Sequence, residues 1–78
     1  DAGIALFPNP AHDTFTISTT GAPLHQLRLL ALDGRVVQHH KLTGHRATVN
    51  VQGLAAGTYL VRTTDPAGQV VVQRLAVQ

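Results

Sequence analysis

Histidine supplies the side chains in this chain that are best suited to binding a metal ion. The five histidines are His12, His25, His39, His40 and His45. His39 and His40 are adjacent, so on a strand they point to opposite faces and cannot share one metal ion without a bulge. His45 lies in the next loop, but no carboxylate or third ligand stands at a typical metal-binding spacing. We therefore expect solvated imidazoles and no metal site; the alternative hypothesis is a histidine site that retains zinc after dialysis.

Acid–base and nucleophilic catalysis find little support in the remaining polar residues. The acidic residues are Asp1, Asp13, Asp33 and Asp65, one to a turn or terminus. A catalytic pair needs two carboxylates held close together with separated pKa values. Ser18 has no Gly-x-Ser-x-Gly context, and residues 53–57 lack the lysine and the Ser/Thr of a phosphate-binding loop. The sequence therefore predicts neither an enzyme nor a bound cofactor.

The size and composition of the chain argue against several further classes of function. The chain has 78 residues, enough for one small domain over 1–78 with a thin core, which a ligand pocket would largely consume. Six Lys and Arg residues stand singly along the sequence, so we expect no basic patch and no nucleic-acid binding. Cysteine is absent, which excludes disulfides and thiolate zinc sites, and no apolar run is long enough for a transmembrane segment. Methionine is absent too, including at position 1, so we expect a piece of a longer protein. We also expect it to be monomeric.

Short strands must position these side chains. Val, Ile and Thr are abundant and glutamate is absent, which favours strands over helices. Apolar runs and alternation predict strands over 4–7, 14–19, 26–32, 35–41, 48–51, 58–64 and 69–77. The Asp33-Gly34 step predicts a two-residue hairpin turn, and the segment 65–68 predicts another turn. Together these elements predict an all-β fold, a seven-stranded antiparallel Ig-like β-sandwich.

Several residues have expected structural roles in such a sandwich. Tyr59 stands near the start of a late strand, where its hydroxyl would cap the neighbouring connection as a tyrosine corner; the other interpretation is ligand stacking. Gly34 and Gly57 are expected to permit tight backbone turns. Pro8, Asn9 and Pro10 are expected to form a turn that no ladder or helix can cross.

Four segments, in order, resemble one known family. The first, at 6–17, is an aromatic-Pro-Asn-Pro step followed by an alternating strand, and the second, at 29–37, is a Gly-basic turn between two strands. The third, at 54–59, is a leucine followed by small residues, a glycine and an x-Tyr pair. The fourth, at 74–77, is a basic residue followed by apolar alternation. Together they resemble the C-terminal sorting domain, type A, of the type IX (Por) secretion system. The likeness covers about residues 4 to 77. Arg74 stands where that family commonly has lysine.

The resemblance implies a secretion signal. Members of the family end secreted or cell-surface proteins of Bacteroidota-type bacteria and direct an upstream cargo from the periplasm through the outer-membrane translocon, to the surface or beyond. In many members a sortase-like cysteine protease cleaves before the domain and joins the cargo to anionic lipopolysaccharide. The implied partners are therefore the translocon, sortase components and an upstream cargo domain.

We expect recognition to lie in exposed strand edges and in the terminal strand, at Arg74, Leu75, Ala76 and Val77, by strand addition to a partner sheet. The other interpretation of the terminal strand is ordinary core pairing, and both roles can coexist. The alternative function is an Ig-like or fibronectin-like accessory module of a secreted enzyme, serving as a carbohydrate binder or a spacer. A carbohydrate binder predicts a row of exposed aromatic rings, and the chain has only Phe7, Phe15 and Tyr59.

Overall fold

Seven strands form within residues 3–78, the part of the chain that the computed structural model describes. They are β1 (Ile4–Phe7), β2 (Thr14–Thr19), β3 (Gln26–Ala31), β4 (Val36–Lys41), β5 (Arg46–Asn50), β6 (Gly57–Thr64) and β7 (Val70–Val77). The first two positions of the predicted domain 1–78 lie outside the described residues. No helix in the described part is long and apolar enough to cross a membrane.

The strands form two sheets, with the orders β1-β2-β5 and β4-β3-β6-β7. Every neighbouring pair is antiparallel, so the predicted all-β, seven-stranded sandwich is confirmed. Strand β7 lies at one edge of the four-stranded sheet, next to β6. This placement gives β7 one edge that no other strand of its sheet covers.

The core lies between the sheets and follows the predicted alternation. Phe15 and Ile17 of the first sheet, and Leu27, Leu29 and Leu75 of the second, are fully buried. Removing each such side chain from water stabilises the fold by about 1.5–3 kcal/mol. Because successive strand residues point to opposite faces, the residues between them form the outer faces of the sandwich.

The β3–β4 hairpin is confirmed, but the two-residue turn predicted at Asp33-Gly34 is wrong. The Gly34 N–H donates to the Ala31 carbonyl at 2.9 Å, and the Ala31 N–H donates to the Arg35 carbonyl at 2.8 Å. Leu32 and Asp33 are thus the central residues, and Gly34 closes the turn with a φ of 92°. A turn of this kind with a left-handed glycine adds a bulge, which matches the right-handed twist of the strands.

The β6–β7 turn follows the prediction for 65–68. The Gly68 N–H donates to the Asp65 carbonyl at 2.9 Å, and the Asp65 N–H donates to the Gln69 carbonyl at 3.0 Å. The Asp65 carboxylate also accepts the Gln69 N–H at 2.9 Å. Backbone and side chain together fix the register of the last strand.

Candidate functional site

The turn after β1 lies against the terminal strand and covers part of its outer edge. The Ala11 N–H donates to the Ala76 carbonyl at 2.7 Å, and the Gln78 N–H donates to the Ala11 carbonyl at 2.8 Å. Ala11 and Val77 form a parallel bridge. The first and last segments of the sequence pattern are therefore in direct contact.

Asn9 completes this contact with its side chain. Its Oδ1 accepts the Ala76 N–H at 3.1 Å, and its Nδ2 donates to the Arg74 carbonyl at 3.4 Å. A side-chain amide offers one acceptor and one donor group, as a peptide group does. Asn9 thus pairs with β7 much as a neighbouring strand would, and the flanking Pro8 and Pro10 have no N–H of their own to contribute.

The four predicted recognition residues divide into two pairs. Leu75 is 0% exposed and Val77 is 3% exposed, and both belong to the core. Arg74 is exposed and Ala76 is half-buried on the outer face of the sheet. A partner that binds the folded domain can therefore contact the side chains of Arg74 and Ala76 but not those of Leu75 and Val77.

The open part of the β7 edge lies upstream of the predicted signal. Both hydrogen-bonding groups of a strand residue face the same edge, and alternate residues face alternate edges. Since the Ala76 groups face Asn9 and Ala11, those of Val70 and Val72 face the same outer edge. Val70 is 42% exposed and Val72 is 53% exposed. Strand addition at the last residues would have to displace the turn, whereas addition at 70–73 would not.

Tyr59 and Gly57 lie at the start of β6, next to the terminal strand, and Gly34 lies in the turn of the β3–β4 hairpin. The Tyr59 hydroxyl donates to the Ala55 carbonyl at 2.6 Å, the geometry of a tyrosine corner. Gly57 begins β6 with a φ of 155° and Gly34 closes the β3–β4 turn. An added Cβ would find open space at both glycines, so the backbone conformation, and not crowding, is what favours glycine there.

In the part of the chain that the structure describes, which leaves out Asp1, the carboxylates and imidazoles are not gathered into one site. The Asp33 carboxylate accepts the Arg35 N–H in the β3–β4 turn, and the Asp65 carboxylate accepts the Gln69 N–H in the β6–β7 turn. Asp13 lies 3.7 Å from the ring of its neighbour His12, and both are exposed. Within residues 3–78 there is no group of three or more potential metal ligands.

The aromatic rings do not form a platform for sugars in the described part of the chain. Phe15 and Tyr59 are buried. Phe7 is 40% exposed, and the guanidinium group of Arg46 lies over its ring at 5.5 Å. The row of exposed aromatic residues that a carbohydrate-binding module would need is therefore not formed by these three residues.

The fold also gathers charges that the sequence had shown only as scattered. Arg28, Lys41, Arg62 and Arg74 all lie on the outer face of the four-stranded sheet, because each alternates with an inward-facing residue of its strand. The expectation that the chain has no basic patch is therefore wrong. Sequence spacing missed it because β3 and β6 are not consecutive, yet they pair directly.

Comparison with known proteins adds two findings. A family model described as the secretion system C-terminal sorting domain matches residues 5–78. A solved structure of PorZ, described as an essential bacterial surface component of the type-IX secretion system of human oral-microbiomic Porphyromonas gingivalis, is similar with a TM-score of 0.80 and 24% identity. That match covers 97% of this chain but 11% of the PorZ chain, so it shows a shared fold. None of the curated proteins matches this chain.

Proposed function

This chain belongs to the family of secretion system C-terminal sorting domains, and from that premise we propose that it directs an upstream cargo protein through the type IX translocon of the outer membrane. The match over residues 5–78 carries the proposal, since it includes both the Pro8-Asn9-Pro10 turn and the terminal strand. The cargo would reach the outer-membrane surface or the extracellular space, and the domain itself would act as a signal that other proteins bind.

The terminal strand is the proposed recognition element. Arg74 and Ala76 would present their side chains to the translocon, while Leu75 and Val77 would hold the strand in the core. Burial of the latter two and the pairing of Ala76 with Asn9 support this division. A strand fixed on both sides presents its outer face in one conformation, which lowers the entropic cost of binding.

Cleavage by a sortase-like cysteine protease is the proposed last step, with the cut before β1. Ile4 is already paired with Thr19 in the first sheet, and a protease needs an extended, unpaired segment to bind. The cut would therefore fall upstream of Ile4 and leave the folded domain intact. Mass spectrometry of the released cargo would locate it, and a cut within β1 or later would contradict this step.

A reporter fused upstream of residues 1–78 tests the function in a bacterium with the type IX machinery. The complete fusion should reach the surface or the medium, and the reporter alone should stay in the periplasm. If both stay in the periplasm, the proposed function is wrong. Deleting 74–78 is a poor test of the terminal signal, because the deletion also removes the buried Leu75 and Val77.

A matched pair of leucine variants separates recognition from stability. Leu75 in β7 and Leu29 in β3 are both 0% exposed, so alanine at either position should cost about 2–5 kcal/mol of unfolding free energy. At equal loss of stability, Leu75→Ala should reduce secretion more than Leu29→Ala, because a cavity at Leu75 also loosens the strand that presents Arg74 and Ala76. If the alanine variants do not fold, Leu75→Val and Leu29→Val repeat the comparison with a smaller loss of unfolding free energy. Equal secretion within the pair would overturn the assignment of the terminal strand.

A further inference from the structure

The outer face of the four-stranded sheet is a regular array of residues. Strand register aligns its outward side chains in three rows of four. Read from β7 to β4, the rows are Val70, Thr64, Gln26, Lys41; then Val72, Arg62, Arg28, His39; then Arg74, Leu60, Leu30, Val36. We call these twelve residues the basic face, because they include four Lys or Arg residues and no acidic one.

The charge of this face is not balanced within the chain. The whole sequence has six basic and four acidic residues, so outside the basic face two basic residues remain against four acidic ones. Arg28 lies directly opposite Arg62, and like charges directly opposite each other destabilise a sheet. None of the four cations forms an ion pair with a carboxylate in the part of the chain that the structure describes. The arrangement costs stability and is best offset by an anionic partner.

Aliphatic side chains are interleaved with these cations. Val36, Val70 and Val72 are exposed, and Leu30 and Leu60 are half-buried. Arginine among apolar side chains is typical of protein–protein interfaces. Binders of single-stranded nucleic acid place several aromatic rings in such a surface, and the twelve residues include no Phe, Tyr or Trp. The composition therefore favours a protein partner over a nucleic acid or a polysaccharide.

We propose that the basic face docks onto an acidic surface of a protein of the secretion machinery, an inference that rests on the proposed function. Strands about 4.8 Å apart and rows about 6.8 Å apart give the face roughly 400 Å², about half of one side of a standard interface. An interface of this size is weak and transient, as passage of a cargo requires. Arg74 belongs both to this face and to the terminal signal, so the two surfaces are continuous.

Arg28→Glu in the reporter fusion tests the proposal without endangering the fold. The new carboxylate lies opposite Arg62, where a pair of opposite charges stabilises the sheet, while the formal charge of the basic face falls by two. Secretion should drop about tenfold, since charge complementarity governs encounter, and the melting temperature should stay constant or rise. Arg35→Glu is the matched control, because it makes the same charge change in the exposed β3–β4 turn and should stay within about twofold of the unaltered fusion.

The outcomes distinguish this proposal from the one on which it rests. Failure of the unaltered fusion to be secreted would overturn both. Secretion of the unaltered fusion together with equal effects of Arg28→Glu and Arg35→Glu would overturn only the docking surface.

A photo-crosslinking residue in place of Val72 identifies the class of partner. We expect an adduct in the secreting cells in which mass spectrometry finds peptides of a protein of the secretion machinery, and which Arg28→Glu removes and Arg35→Glu does not. An adduct that contains no second protein, which indicates polysaccharide or lipid, would overturn the proposal, and so would an adduct that Arg28→Glu leaves unchanged.

Discussion

Replacing Asn9 by alanine should loosen the terminal strand at one identifiable amide. The side chain of Asn9 joins the Ala76 N–H at 3.1 Å and the Arg74 carbonyl at 3.4 Å. Alanine removes both hydrogen bonds and leaves the backbone contact between Ala11 and Ala76 in place. The perturbation is therefore confined to the junction between the first turn and β7.

The expected loss of stability is small but measurable. A typical hydrogen bond contributes about 0.5–1.5 kcal/mol net; the bond to Arg74 is long, and both are exposed, so water replaces them in part. We expect Asn9→Ala to cost about 1 kcal/mol in all. For a domain of this size that corresponds to a fall in melting temperature of about 4–8 °C.

Amide hydrogen exchange measured by NMR locates the effect. The Ala76 amide should exchange about fivefold faster, the factor that corresponds to 1 kcal/mol. The Gln78 amide, which donates to the Ala11 backbone, is an internal reference and should change less. Asn50→Ala is the control variant, because it removes a side-chain bond to the Gln52 N–H at 2.7 Å, far from β7 in the sandwich.

Two results would refute this reasoning. Unchanged exchange at Ala76 in Asn9→Ala would mean that the side chain of Asn9 does not pair with the strand in solution. Faster exchange at Ala76 in Asn50→Ala, to the same degree, would mean that the amide reports global stability and not the local contact.

Two other substitutions test the turns, each by thermal unfolding. Tyr59→Phe removes the hydroxyl that donates to the Ala55 carbonyl at 2.6 Å and should cost about 1 kcal/mol; an unchanged melting temperature would show that this bond contributes nothing. Gly34→Ala places a Cβ on a residue whose φ is 92° and should lower the unfolding free energy by about 1–2 kcal/mol. The control, Leu32→Ala at an exposed position of the same turn, should lower it by less than about 0.5 kcal/mol. Equal losses of stability in the two variants would contradict the role of the φ angle.

Local patterns in the sequence predict strands best where one face of the strand is buried. Phe15 and Ile17 alternate with polar residues, and the structure buries both. The β3–β4 turn shows the limit of that approach. Asp33-Gly34 indicates a hairpin, but the turn type depends on the twist of both strands and on the register shift after Leu29, which no pair of residues encodes.

Contacts between distant segments could not be predicted from residue spacing. Asn9 and Ala76 are 67 residues apart, and nothing in the Pro8-Asn9-Pro10 step says which strand the side chain meets. Arg28 and Arg62 look isolated until β3 and β6 pair. Both features depend on strand order, which is a property of the packed sandwich and not of any one segment.

The terminal signal, as proposed, exists only in the folded domain. Arg74 and Ala76 have their backbone groups held by Asn9 and Ala11, and Arg74 joins the basic face only when β7 pairs with β6. In an unfolded domain, residues 74–77 would have the same sequence but not that geometry. A translocon that binds the outer face of β7 would therefore select domains that have folded, so destabilising substitutions far from the strand should reduce secretion in proportion to the unfolded fraction they create.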